Sequence, residues 1–145
     1  MKKEGIFMDQ HIHQILSERF NHHHLIFMAT SLNNVPSIRA LTPYYENGSF
    51  YVITDAKSKK MDEISKNPMV AIAGPWFNAS AIANNLGYIL KQENQHLYTQ
   101  LKTYCQSWFE LGKVDVYDEN TIILQLKITD GYVIENNIRY ILKAA

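Results

Sequence analysis

Tyr44-Tyr45-Glu46-Asn47-Gly48-Ser49-Phe50-Tyr51-Val52-Ile53-Thr54 is the stretch on which the fold turns. Asn-Gly takes the positive φ values of a tight hairpin turn at little cost, and the aromatic and β-branched residues around it favour strands. Two antiparallel strands are therefore expected here. Upstream, Leu25-Ile26-Phe27-Met28-Ala29-Thr30 is an apolar run too short for a stable helix and suited to a buried strand. Asn33-Asn34 supplies a turn, and Val35 to Tyr45 reads as the returning strand with Pro36 at its start. Downstream, the lysine-rich segment Asp55 to Lys60 opens a short helix with Met61, Ile64 and Ser65 on its inner face. Asn67-Pro68 ends it, because the residue before proline is pushed out of helical dihedrals.

Working outward, Asp9 to Phe20 repeats Ile12, Ile15, Leu16 and Phe20 at helical spacing behind a possible Asp9 cap. Met69 to Phe77 has strand composition with a bulge or bend at Gly74-Pro75, and Ala79 to Ile89 extends the sheet. Gln92 to Phe109 reads as one helix carrying Leu97, Leu101, Tyr104, Cys105 and Trp108 as a stripe. Thr121 to Thr129 alternates with Ile122, Leu124, Leu126 and Ile128 on one face. Asp130-Gly131 then turns into Tyr132-Val133-Ile134, and Ile138 to Leu142 makes a last edge strand. Six or seven strands with hairpin-length links predict an α+β, mainly β fold: a small antiparallel barrel with Greek-key-like connections and flanking helices.

The chain has 145 residues, enough for one domain over 1–145 with its own core, and no linker or repeat divides it. Fourteen basic residues balance fourteen acidic ones, which argues against nucleic acid or an anionic membrane as partner but leaves room for a small basic pocket. Cys105 is the only cysteine, so an internal disulfide and a cysteine metal cluster are excluded, and its setting on a helix face suits an inert buried thiol. No apolar run is long enough for a signal peptide or a membrane span, so the expected location is the cytoplasm.

The chemistry gathers around the hairpin. Arg39 lies in one strand, Thr54 ends another, and Ser58, Lys59 and Lys60 begin the helix that follows. Folding the hairpin brings these together, and a phosphate wants that set: a planar guanidinium, ammonium charges, hydroxyls and free amides at a helix start. The same residues also read as a solvated lysine patch beside an arginine with a surface partner. His22-His23-His24 reads as a polar loop, since consecutive side chains diverge and a metal site needs convergent ligands; no metal is expected. His11 and His13 stand two apart on a helix and share no face.

The ordered set Leu25–Thr30, Val35-Pro36-Ser37-Ile38-Arg39, Gly48 to Thr54, Ser58-Lys59-Lys60, Ile64 and Asn67-Pro68 resembles the pyridoxamine 5′-phosphate oxidase-like FMN-binding split-barrel family. The resemblance implies a six-stranded split barrel and a homodimer with FMN at the subunit interface. It implies that Arg39 opens the flavin-binding strand and that Ala40, Leu41 and Thr42 offer main-chain hydrogen bonds along the isoalloxazine edge. Ile53 and Thr54 would lie near the phosphate and ribityl chain, with Ser58, Lys59 and Lys60 on the phosphate. Lys59 stands where the family has an arginine, which keeps the charge and loses the bidentate fork.

Trp76-Phe77 suits aromatics approaching the flavin across a dimer interface, and equally a packing role. Two departures count against oxidation of pyridoxamine phosphate itself. Tyr44 stands where the family's oxidases have a lysine, and the C-terminal Arg-Leu-x-Pro motif is absent from Ile138-Arg139-Tyr140-Ile141-Leu142-Lys143. The expectation is an FMN-dependent oxidoreductase like the family's general-stress-type proteins or flavin reductases, with a small redox partner such as NAD(P)H. The alternatives are a non-catalytic flavin, haem or deazaflavin binder on the same fold, and a structural dimer without cofactor. No residue stands out as a catalytic acid or base.

Overall fold

The computed structural model describes residues 2–4 (backbone only), 10–21 and 24–144. The Asp9 cap and two of the clustered histidines, His22 and His23, lie outside them. Element order is β1 (Lys2–Glu4), α1 (Gln10–Phe20), β2 (Ile26–Leu32), β3 (Val35–Leu41), β4 (Tyr44–Glu46), β5 (Ser49–Asp55), α2 (Lys59–Lys66), β6 (Met69–Gly74), β7 (Phe77–Tyr88), α3 (Gln95–Tyr104), α4 (Gln106–Glu110), β8 (Thr121–Glu135) and β9 (Ile138–Lys143). A single 3-10 turn, Gln92–Asn94, leads into α3.

The strands form one sheet in the order β1-β9-β8-β7-β6-β2-β3, with β5 paired to β8 and β4 to β5. Every pairing is antiparallel except that of β1 with β9. The 15-residue β8 keeps β7 along one edge. On its other edge it holds β5 through Thr121–Lys127 and then β9 through Asp130–Glu135. Nothing among the described strands pairs with the outer edge of β3. The sheet therefore curls without closing, and the α+β split barrel with flanking helices is observed. Nine strands replace the expected six or seven because β1 and β4 are separate three-residue pieces.

The core follows from alternation. Ile26 and Met28 of β2, Phe50 and Val52 of β5, Val70 and Ile72 of β6, and Ile122, Leu124, Leu126 and Ile128 of β8 all point inward and are buried. The apolar stripe of α1, Ile12, Ile15, Leu16 and Phe20, caps this interior. Phe20 meets Phe50 and Phe77 edge to face, at 4.8 and 5.4 Å between centroids, the geometry aromatic quadrupoles favour. A second cluster of Tyr44, Ile89, Leu101 and Ile123 lies on the opposite side of β5 and β8, beneath α3.

Several expectations are corrected. The strand from Val35 stops at Leu41, since Thr42-Pro43 interrupts it and β4 starts afresh at Tyr44. Gly74 pairs with Phe77, so Pro75-Trp76 are the two turn residues of a hairpin, not a bend within one strand. The helix from Gln92 to Phe109 is divided at Cys105, whose φ of −113° and ψ of 30° leave the helical region. Ser65 is exposed, while Glu63 occupies the inner face of α2. Ile138–Lys143 is not an edge strand, because β1 pairs with it.

Asp130-Gly131 makes no turn: β8 continues through it, with a shift of register against β7 at Thr129, and reverses at Asn136-Asn137, whose φ values are 51° and 63°. Gly131 is there for space. A Cβ at this position would stand 2.2 Å from the Asn78 carbonyl oxygen and 2.6 Å from Ala79 Cα, both backbone atoms of the neighbouring strand. Gly131→Ala is expected to lower unfolding free energy by about 2–4 kcal/mol in urea denaturation, with the slope unchanged.

Candidate functional site

The site grows from three strand ends and one helix. Arg39 sits on β3 opposite Met28 of β2, on the face that turns inward. Its Nη1 donates to the Met28 carbonyl oxygen at 3.2 Å and to Thr30 Oγ1 at 2.9 Å. Its Nη2 donates to Glu63 Oε1 at 3.1 Å. A guanidinium has five N–H donors. The Nε–H and one Nη2 N–H thus remain without a protein partner among the described residues. The surface partner considered for this arginine is in fact a buried carboxylate: Glu63 is 5% exposed. Its second oxygen accepts from Ser37 Oγ at 3.2 Å.

Lys60 stands on the first turn of α2. Its ammonium donates to Thr54 Oγ1, at the end of β5, and to Ser58 Oγ at 3.3 Å, at the N-cap. Burial lowers the Lys60 pKa, and the nearby Arg39 charge lowers it further, against a smaller opposing effect of Asp55. The Arg39 guanidinium and the half-buried position together disfavour the charge on the Lys60 ammonium. The Ser58 side chain makes no cap hydrogen bond, and while the Met61 amide donates to the Ser58 carbonyl oxygen at 3.1 Å, the first-turn amides of Lys59 and Lys60 are not closed off by the cap. Lys59 is exposed at the helix start, and Ile53 is half-buried on the face of β5 away from the main core.

Arg39, Thr54, Ser58 and Lys60 are therefore brought together as the sequence pattern suggests. Ala40 is exposed on β3, Leu41 packs on the core, and Thr42 follows the strand end, along the edge that no described strand covers. Trp76 is not part of this group. It lies past the end of β6 remote from α2, with the Arg19 guanidinium carbon 4.3 Å from its ring centroid and Phe20 at 5.0 Å. Tyr44, at the position of the family lysine, is core: it stacks on Tyr104 at 5.1 Å and donates to Glu46 Oε1 at 2.9 Å. Burial first, then the Glu46 hydrogen bond, pushes its pKa up, so it stays a neutral phenol.

Two clefts flank the cluster. One of about 480 Å³ opens beside the start of α2, lined by Ser58, Ser65, Asn84 and Asn85 among others. The other, about 280 Å³, runs from Ile53 and Thr54 to Trp108 and Lys113. Arg39 and Lys60 line neither. Among the described residues no group of three or more His, Cys, Asp or Glu is arranged to hold a metal ion, and no helix is long and apolar enough to cross a membrane. Sequence reasoning missed Glu63. The available signal was its i+3 spacing from Lys60 on a helix whose inner face passes under Arg39.

No protein-family model matches the chain, and no curated protein matches it. Solved structures do. The general stress protein 26 of Bacillus anthracis superposes with a TM-score of 0.64 at 19% identity, over 86% of this chain and 95% of the other. A pyridoxamine 5′-phosphate oxidase-related, FMN-binding protein of Nostoc punctiforme gives 0.52 at 18% identity, over 89% and 82%. The haem storage protein HutZ of Vibrio cholerae gives 0.64 at 10% identity, over 86% and 93%. At these identities the likeness is one of fold, and the fold is that of the pyridoxamine 5′-phosphate oxidase-like proteins.

The Lys60 shift has a sign that can be checked. A lysine whose pKa is depressed in the folded state carries its full cost below that folded value. The cost is relieved as pH rises from the depressed value towards the ordinary 10.5. Wild-type stability is therefore expected to rise relative to Lys60→Gln across this alkaline window, measured by urea unfolding of both proteins at each pH.

Proposed function

We propose that residues 1–145 act as one FMN-binding domain, with the flavin phosphate held by Arg39, Lys59, Lys60, Ser58 and the first-turn amides of α2. The observation that carries this reading is the paired cationic spot. Arg39 keeps an Nε–H and an Nη2 N–H unspent, and Lys60 is crowded by the same guanidinium. An anion relieves that crowding, and a phosphate takes two parallel N–H groups from a guanidinium. Thr54 and Ile53 then border the ribityl chain, and the uncovered backbone edge at Ala40, Leu41 and Thr42 is available to the flavin ring. When bound, the isoalloxazine supplies electron transfer, and the protein supplies anchoring and orientation. The reading is an oxidoreductase taking electrons from a nicotinamide donor.

The FMN-binding neighbour supports the ligand, and the haem-storing neighbour makes haem the alternative on this fold. The cluster itself favours phosphate, because it offers cations and hydroxyls and includes no imidazole to ligate iron. A homodimer completes the proposal. The outward face of β2, β3 and β6 leaves Phe27, Ile38 and Met69 exposed by 45%, 72% and 53%, an apolar patch of the kind that a second subunit covers.

Three outcomes are expected. FMN added to the purified protein gives bound-flavin bands at roughly 370 and 450 nm and raises the melting temperature, and NADH or NADPH bleaches them. Absence of both binding signals overturns the flavin reading, and bound flavin that neither nucleotide reduces overturns the enzyme reading in favour of a carrier. Replacing Arg39 and Lys60 together by Ala weakens FMN by about a hundredfold and riboflavin by much less, since only FMN carries the phosphate. Ile38→Glu shifts the protein from dimer to monomer in light scattering.

A further inference from the structure

We infer that Glu63 is the built-in counter-ion of the phosphate site: its carboxylate orients Arg39 and, by opposing a bound phosphate, sets how tightly the site takes one. The inference rests on the phosphate reading of Arg39 and Lys60 given above. Among the described residues Glu63 is the only charged side chain that is buried, at 5% exposure. Such a group is costly unless paired and hydrogen-bonded, and both oxygens are engaged, one by Arg39 at 3.1 Å and one by Ser37 at 3.2 Å. It is dedicated to the arginine. Lys60, one turn earlier on α2, turns its ammonium to Thr54 and Ser58 instead.

Three acceptors, from β2 and α2, thus fix the guanidinium plane: the Met28 carbonyl, Thr30 and Glu63. This orientation leaves the Nε–H and one Nη2 N–H for a ligand. The same carboxylate places a negative charge one guanidinium away from any phosphate bound there. The two effects separate by chemistry. Hydrogen bonding to Arg39 survives an amide in place of the carboxylate, whereas the opposing charge does not.

Removing the charge also leaves the Arg39 guanidinium without its internal counter-charge, so an added anion has more to compensate in the variant than in the wild type. Both effects point the same way: Glu63→Gln weakens the unliganded protein and tightens phosphate. Glu63 is a positioning residue, and its effect is confined to ligands that carry the phosphate.

The test titrates wild type, Glu63→Gln and Glu63→Asp with inorganic phosphate, FMN and riboflavin, reading affinity from melting temperature and from flavin fluorescence. Glu63→Gln is expected to bind phosphate and FMN about five- to tenfold more tightly than wild type, with riboflavin changed less than about twofold. Glu63→Asp, which keeps the charge, is expected to show no gain. Equal or weaker phosphate binding in Glu63→Gln overturns the inference, as does the same gain in Glu63→Asp or with riboflavin. If wild type takes inorganic phosphate but not FMN, the flavin reading falls while the phosphate comparison still decides Glu63; if it takes neither, both fall. If Glu63→Gln folds only in the presence of phosphate, the counter-ion role stands, and failure to fold at saturating phosphate overturns it.

Discussion

β8 is the constraint on which the rest of the structure depends. A strand has two edges, and this one gives one to β7 along most of its length and divides the other between β5 and β9. Because side chains alternate, Ile122, Leu124, Leu126 and Ile128 can be buried together only if both partners keep register with it. Where the partner on one edge changes, the backbone of β7 comes so close that only glycine fits at position 131. Register along β5 then places Thr54 against Ile122 at the strand's end. The chain must leave the sheet there and enter α2.

That exit defines the site. α2 packs over β2 with Met61 and Ile64 in the core, and its remaining inward position is taken by Glu63. A helix two turns long is marginal alone. Here its position is fixed by the apolar pair and by a charge that has one partner within reach. Breaking a buried pair by removing one member typically costs about 3–5 kcal/mol, whereas replacing both by apolar groups is often neutral. The pair is thus better explained by what it holds in place than by net stability. It ties the helix that carries Lys60 to the strand that carries Arg39, so the spacing between the two cations is set by an ion pair and not by a loop.

The sequence made local structure legible where one residue type decides it. Asn33-Asn34 and Asn47-Gly48 take positive φ, as their small polar or missing side chains allow, and the strands on either side pair as the pattern implies. Thr54, Ser58 and Lys60 are local to one strand end and the helix after it, whereas Arg39 reaches them by a route the hairpin does not supply: β3 pairs with β2, and α2 packs over β2. Asp130-Gly131 carried the same turn signal and meant something else, since a glycine needed for close approach is spelled like one needed for a turn. The Cys105 break in the helix carries no proline or glycine, and the structure offers no local cause for it.

Trp76 and Glu63 show why charge and aromaticity were harder to place than strands. Trp76 stands next to a turn, where an aromatic is free to meet a ligand or a neighbouring helix, and within this chain Arg19 of α1, 57 positions earlier, lies over its ring. Glu63 looks like one more solvated acid on a lysine-rich helix until β3 is laid beside it. Both depend on long-range partners that no window of sequence contains. A functional cluster on this fold is therefore read in two steps. Local pattern supplies the candidate groups, and only tertiary packing shows the buried groups that hold them, such as the carboxylate behind Arg39.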